Sequence, residues 1–113
     1  MRIRNIQQEY EVQLKPPPGG AFPSARGKGE WKIYADGTRQ CKVSISGVGA
    51  PDGAFLELVV EERRITHLTV EQGAARYRRE TERGEGVPTV ALGERLKVIY
   101  LGQVILEGQF YEE

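Results

Sequence analysis

Apolar and polar residues alternate along most of this chain. In "CKVSISG", Cys41, Val43 and Ile45 fall on one side of an extended backbone and Lys42, Ser44 and Ser46 on the other, because successive strand side chains point to opposite faces. "EWKIYA" repeats the pattern, with Trp31, Ile33 and Ala35 inward and Lys32 and Tyr34 outward. The intervening "ADGT" predicts a hairpin, since Asp-Gly between alternating segments suits a tight turn. "FLELVVE" sets Leu56, Leu58 and Val60 against Phe55, Glu57, Val59 and Glu61, and "ITHLTVE" sets Leu68, Val70 and Thr66 against Ile65, His67 and Thr69. "RLKVIYLGQVILEGQF" predicts a second hairpin turning at Gly102-Gln103, with Leu96, Val98 and Tyr100 lined up with Val104, Leu106 and Phe110 toward a core. "QQEYEVQL" reads as a first strand with Tyr10, Val12 and Leu14 inward.

Turn signals recur at "PDG" (51–53), "EQG" (71–73), "GEG" (84–86) and "LGE" (92–94), and no segment holds a helical period with caps. Strands about ten residues apart, closed by Gly, Pro or Asp, predict an all-β fold. The expected architecture is an antiparallel β-sandwich of seven or eight strands, of the Greek-key, immunoglobulin-like kind, in a single domain spanning 1–113. "KPPPGGAFPSARG" (15–27) is the one low-complexity stretch and is expected to be a stiff crossing loop. Its "PPP" is also the one place for a polyproline II face.

Composition narrows the function classes. Sixteen basic and sixteen acidic residues cancel, which removes any bulk electrostatic reason to seek nucleic acid or an anionic membrane. One cysteine, Cys41, excludes an internal disulfide, and one histidine, His67, leaves too few ligands for a closed metal site within one chain. No apolar run has the length of a bilayer span or a signal-peptide core. The expectation is a soluble, cytoplasmic protein, exported instead if the chain is cut from a longer precursor.

"GKGEWKIYADGTRQCKVSISGV" is similar to the opening of sandwiches related to copper/zinc superoxide dismutase and the chordin-type (CHRD) domains. The stretch from "EQGAARYRRE" to "ILEGQF" resembles the second half of bacterial domains in that neighbourhood, through Gly73 and Ala75, Gly84, Val87 and Pro88, Gly93 and Glu94, and Leu106, Gly108 and Phe110. The resemblance covers roughly residues 20 to 110 and implies a fold only. A superoxide dismutase site needs about half a dozen imidazoles and a carboxylate, so no metal-binding or catalytic residue carries over.

Three features remain as candidate chemistry. "ARYRRETER" alternates Ala75, Tyr77, Arg79 and Thr81 with Arg76, Arg78, Glu80 and Glu82. It reads either as a charged edge strand or, with His67, as a site where Arg76, Tyr77, Arg78 and Arg79 take an anionic ligand or a nucleic acid strand. Cys41 alternates with core residues and reads as a buried small hydrophobe. Asp36, Asp52 and Glu94 sit in glycine turns with local backbone work to do, and a carboxylate pair meeting across the sheet is the remaining enzymatic option. The hairpin "LKVIYLGQVIL" is apolar on both faces at Ile99, Leu101 and Ile105, which predicts burial by another strand or by self-association. The sequence thus favours a non-enzymatic structural or protein-interaction module, with no cofactor or metal, over a binder of anions.

Overall fold

The computed structural model describes residues 5–112, so residues 1–4 and 113 of the expected domain lie outside the described residues. It is a β-sandwich. Its strands are β1 (Ile6–Leu14), β2 (Arg26–Tyr34), β3 (Arg39–Ser46), β4 (Phe55–Val60), β5 (Arg63–Thr69), β6 (Ala75–Glu80), β7 (Arg95–Tyr100), β8 (Gln103–Gln109) and β9 (Tyr111–Glu112). They form a five-stranded sheet in the order β6-β3-β2-β1-β9 and a four-stranded sheet in the order β5-β4-β7-β8. Every neighbouring pair is antiparallel. β3 lies beside β6 in one sheet while β4, which follows β3, lies beside β7, which follows β6. This interlocking of two crossing pairs is the Greek-key arrangement of immunoglobulin-type sandwiches. The strand beyond the expected eight is the two-residue β9.

The inward residues meet in one core. Val12, Val43, Leu56, Leu58, Leu96 and Leu106 are fully buried, and Trp31 stands edge-on to Phe110 with ring centroids 5.0 Å apart. Burying a Leu or Val contributes about 1.5–3 kcal/mol, against about 0–1 kcal/mol for an exposed ion pair. The apolar stripe therefore joins the sheets, and the surface charges do not. The single tryptophan keeps its polar atom satisfied by donating from Nε1 to the Pro88 carbonyl at 3.0 Å.

Where the pattern slips by one residue, a β-bulge is the cause. Between Val98 and Ile99 the pairing jumps, so that Ile99 faces Val104 and Val98 faces Leu106, leaving Ile105 as the extra residue. Ile105 thereby turns inward beside Leu106 and is fully buried, so it has no surface to offer a partner. A second bulge between Leu58 and Val59 turns Ile65, expected outward, against the core. The β7–β8 turn is Leu101-Gly102, one residue earlier than expected, with φ of +49° and +77° and Tyr100 paired with Gln103. Tyr34, expected outward, is buried at the end of β2, where Ile6 pairs with it.

The proline-rich stretch does not cross between sheets. It joins β1 to β2, which are neighbours with Leu14 opposite Gly27, and Arg26 and Gly27 already belong to β2. From this loop Phe22 reaches Tyr100, 5.9 Å between ring centroids.

One side of the sandwich is stitched shut. β9 pairs with β1 only at Tyr10 and Glu11, which leaves the far end of β1 free to reach the other sheet. There Lys15 and Glu107 exchange backbone hydrogen bonds of 3.0 and 2.9 Å. At this join Gly108 packs so closely that a Cβ would lie 2.0 Å from the Gln13 carbonyl oxygen and 2.9 Å from Val12 Cγ2. A Gly108→Ala substitution should therefore force two backbones apart and cost about 1–3 kcal/mol, read as a lower urea midpoint. Gly86→Ala, with nothing within 4 Å of the added carbon, should leave the midpoint nearly unchanged. Equal midpoints for the two variants would contradict this account of the join.

Candidate functional site

The strand β6 is an edge, and its alternation separates the residues expected to act together. Arg76 and Arg78 point to the outer face of the five-stranded sheet, opposite Ser44 and Lys42. Tyr77 and Arg79 point the other way: Tyr77 is buried, and the Arg79 guanidinium lies 4.6 Å over its ring while donating to the Arg78 carbonyl at 2.7 Å. Arg79 takes part in none of the ion pairs among the described residues. Its position at the sheet margin and its contact with an aromatic face satisfy a charge that would be costly deep in the core. Arg78 pairs with Glu80 at 2.8 Å, so the edge carries mixed charge, which discourages pairing with another strand. The arginines of β6 do not converge on one point.

His67 stands elsewhere. It projects from β5 on the outer face of the four-stranded sheet, exposed, with Phe55 6.3 Å away between ring centroids. Cys41 is buried on the inner face of the other sheet, and burial pushes its thiol up to about 11. The two cannot form a nucleophile–base pair. Among the described residues no group of three or more His, Cys, Asp or Glu is placed to hold a metal ion.

Carboxylates do meet across a sheet. Glu11 and Glu30 are cross-strand partners on the outer face, and Lys28 bridges them at 2.9 and 3.3 Å. Hydrogen bonds from Lys28, first to Glu11 and then to Glu30, hold its ammonium well above the usual lysine range. Glu11 is buried, and its second oxygen accepts from the Tyr111 hydroxyl at 3.1 Å. A carboxylate with both oxygens engaged by a cation and a phenol is poorly placed to exchange protons with a substrate. The turn acids act on backbone instead: Asp36 accepts from Thr38 N at 2.9 Å, Asp52 from Gln72 N at 2.8 Å and Glu94 from Ala91 N at 2.7 Å.

The outer face of the four-stranded sheet carries an apolar patch. Phe55 is 67% exposed and Leu101 82% exposed. The half-buried Ile99 and Val104 are cross-strand partners, and Ile99 also faces Glu57. Phe55 lies two residues before Glu57 on the same face, toward the hairpin tip that holds Leu101. Of the expected interface residues the structure brings Ile99 and Leu101 together here and withdraws Ile105. Phe55 was legible through its place opposite Leu56 in the alternation, but the sequence does not say which outward residue lies next to which.

No protein-family model matches the chain, and no curated protein matches it at a significant level. Among the described residues no helix is long and apolar enough to cross a membrane.

The raised pKa and burial of Cys41 give a direct expectation. At pH 8 the thiol is protonated and enclosed, so a thiol reagent should modify it only through opening of the fold, far more slowly than in denaturant. Labelling of the native chain as fast as that of the unfolded chain would contradict the burial.

Proposed function

We propose that this chain is a non-catalytic β-sandwich module whose role is association, and that its partner on the four-stranded sheet is a second copy of the same chain. Leu101 carries the argument. It holds φ of +49° at the first position of a turn in which Asn is the ordinary choice, a conformation that costs a side chain with a Cβ about 1–2 kcal/mol. At 82% exposure it regains nothing from its own core. Glu61 and Gln72 hold much the same φ with polar side chains suited to water, whereas an exposed leucine and an exposed phenylalanine at one end of the sheet are the apolar surface that docking covers.

Charge supports a second copy as the occupant. The chain's sixteen positive and sixteen negative residues leave no net repulsion between copies. The patch is flanked by both signs, with Glu57 paired to Arg64 at 3.5 Å and Lys97 opposite Glu107. A two-fold contact places each such surface against itself, so a mixed rim is self-complementary. Catalysis is disfavoured by the occupied Glu11, the enclosed Cys41 and the isolated His67. Kinship of fold with the copper/zinc superoxide dismutase and chordin-type sandwiches belongs to the same proposal; it rests on turn glycines and alternating apolar residues and brings no metal chemistry.

Leu101→Asn separates the two roles of the residue. It should raise the stability of the single chain by up to about 1 kcal/mol while weakening self-association at least tenfold in sedimentation equilibrium. A wild-type chain that stays monomeric at the highest concentrations reached, or a variant that associates as tightly as the wild type, overturns the proposal.

A further inference from the structure

A cleft of about 380 Å3 opens on the outer face of the five-stranded sheet, on the side away from the apolar patch. Arg26 and Lys28 of β2, Ser44 and Ser46 of β3, and Arg76 of β6 line it. The register explains why they converge. Lys28, Ser44 and Arg76 form one row across three strands, and Arg26 and Ser46 form the next. Neighbouring strands lie about 4.8 Å apart, so Lys28 and Arg76 flank the short Ser44 side chain, and Arg26 stands beside Ser46.

Charge in the cleft is one-sided. Its lining holds no carboxylate; Glu11 and Glu30, in the adjacent row, already pair with Lys28 at 2.9 and 3.3 Å, so the uncompensated charge of the cleft is that of Arg26 and Arg76. Arg26 donates to the Pro23 and Ala25 carbonyls at 3.1 and 2.6 Å, which holds its guanidinium in place without neutralising it. Arg76 takes part in none of the ion pairs among the described residues. Cations brought together around hydroxyls repel one another unless an anion joins them. Two guanidinium groups, an ammonium and two hydroxyls supply donors from several directions, which suits a tetrahedral oxyanion better than a two-oxygen carboxylate. A nucleic acid strand fits poorly, because no aromatic ring lines the cleft for a base to stack on.

We propose that this cleft binds the phosphate group of a small phosphorylated molecule, with Arg76 and Arg26 as the principal ligands and Lys28, Ser44 and Ser46 completing the set. It lies on the opposite sheet from the self-association surface and is independent of it, so Leu101→Asn leaves it intact.

Inorganic pyrophosphate is the probe, titrated into the full chain at about 0.1 M salt, where long-range attraction is screened. Calorimetry should show saturable binding, and amide shifts should centre on Ser44, Ser46 and Arg76. Arg76→Gln should weaken binding by at least about tenfold, as expected for losing a charge-assisted bond, with Arg76→Lys between the two. Arg78→Gln, on the same strand and face but outside the cleft, should bind like the wild type. Arg76 and Arg78 are exposed edge residues, and matching melting temperatures establish that each variant is folded. Absence of saturable binding, equal weakening by Arg78→Gln, or tighter binding of a single-stranded oligonucleotide than of pyrophosphate each overturns the proposal.

Discussion

The carbonyl oxygen of Gln13 fills the space that any side chain at position 108 would need. That contact lets β1 belong to both layers, pairing with β2 along its length and with β8 at Lys15. Were the two backbones held apart, the exchange between Lys15 and Glu107 would be lost, and Val12 and Leu14 would meet the facing sheet at the wrong depth. The return of the chain through Phe110 into β9 would then lose its alignment with Tyr10 and Glu11 as well. The inner face of β2 makes room by the same device. Gly29 and Gly27 lie opposite Val12 and Leu14, and a Cβ on Gly29 would meet Val12 Cγ1 at 2.7 Å. Small residues here serve the packing of their neighbours.

Much of this was legible in the alternation. Tyr10, Val12, Leu14, Cys41, Val43, Ile45, Leu56, Leu58, Val60, Leu68 and Val70 all face the core as their parity predicts. The failures cluster at bulges. Ile65 and Ile105 have the wrong parity for the core, and an extra residue in one strand leaves no mark in a pattern read one strand at a time. An apolar residue out of phase is the visible trace of a bulge, and reading it as a second exposed face is the natural error. The loop at 15–27 misled for another reason: its length suggested travel between layers, whereas the chain reverses and re-enters the same sheet.

Sites were harder to read than the fold because they depend on register across several strands. The run of arginines in β6 drew attention by being contiguous, yet contiguity in a strand sends neighbours to opposite faces. Arg76 acquires its company from Lys28, 48 positions away in sequence, through Ser44 between them. Sequence composition reports neutrality for the chain as a whole and is silent about how the charges are sorted over its two outer faces. Exposed Leu101 illustrates the same limit, since its strain follows from a turn placed one residue earlier than the glycine suggested.

The stitching of the sheets is one-sided, and this gives the molecule a direction of breathing. At Lys15, which follows β1, and Glu107 of β8 the layers share hydrogen bonds, and the chain itself passes from β8 in one sheet to β9 in the other. On the opposite side β5 and β6 end their sheets as separate edges, linked by the tight Gln72-Gly73 turn and by the Asp52 side chain that accepts from Gln72 N. Partial openings that leave the seam closed are cheaper than those that break it. The two layers behave as covers of a book whose spine is the β1–β8 join. An opening from the fore-edge would wet the side chains nearest the spine, Val12 and Leu106 among them, last.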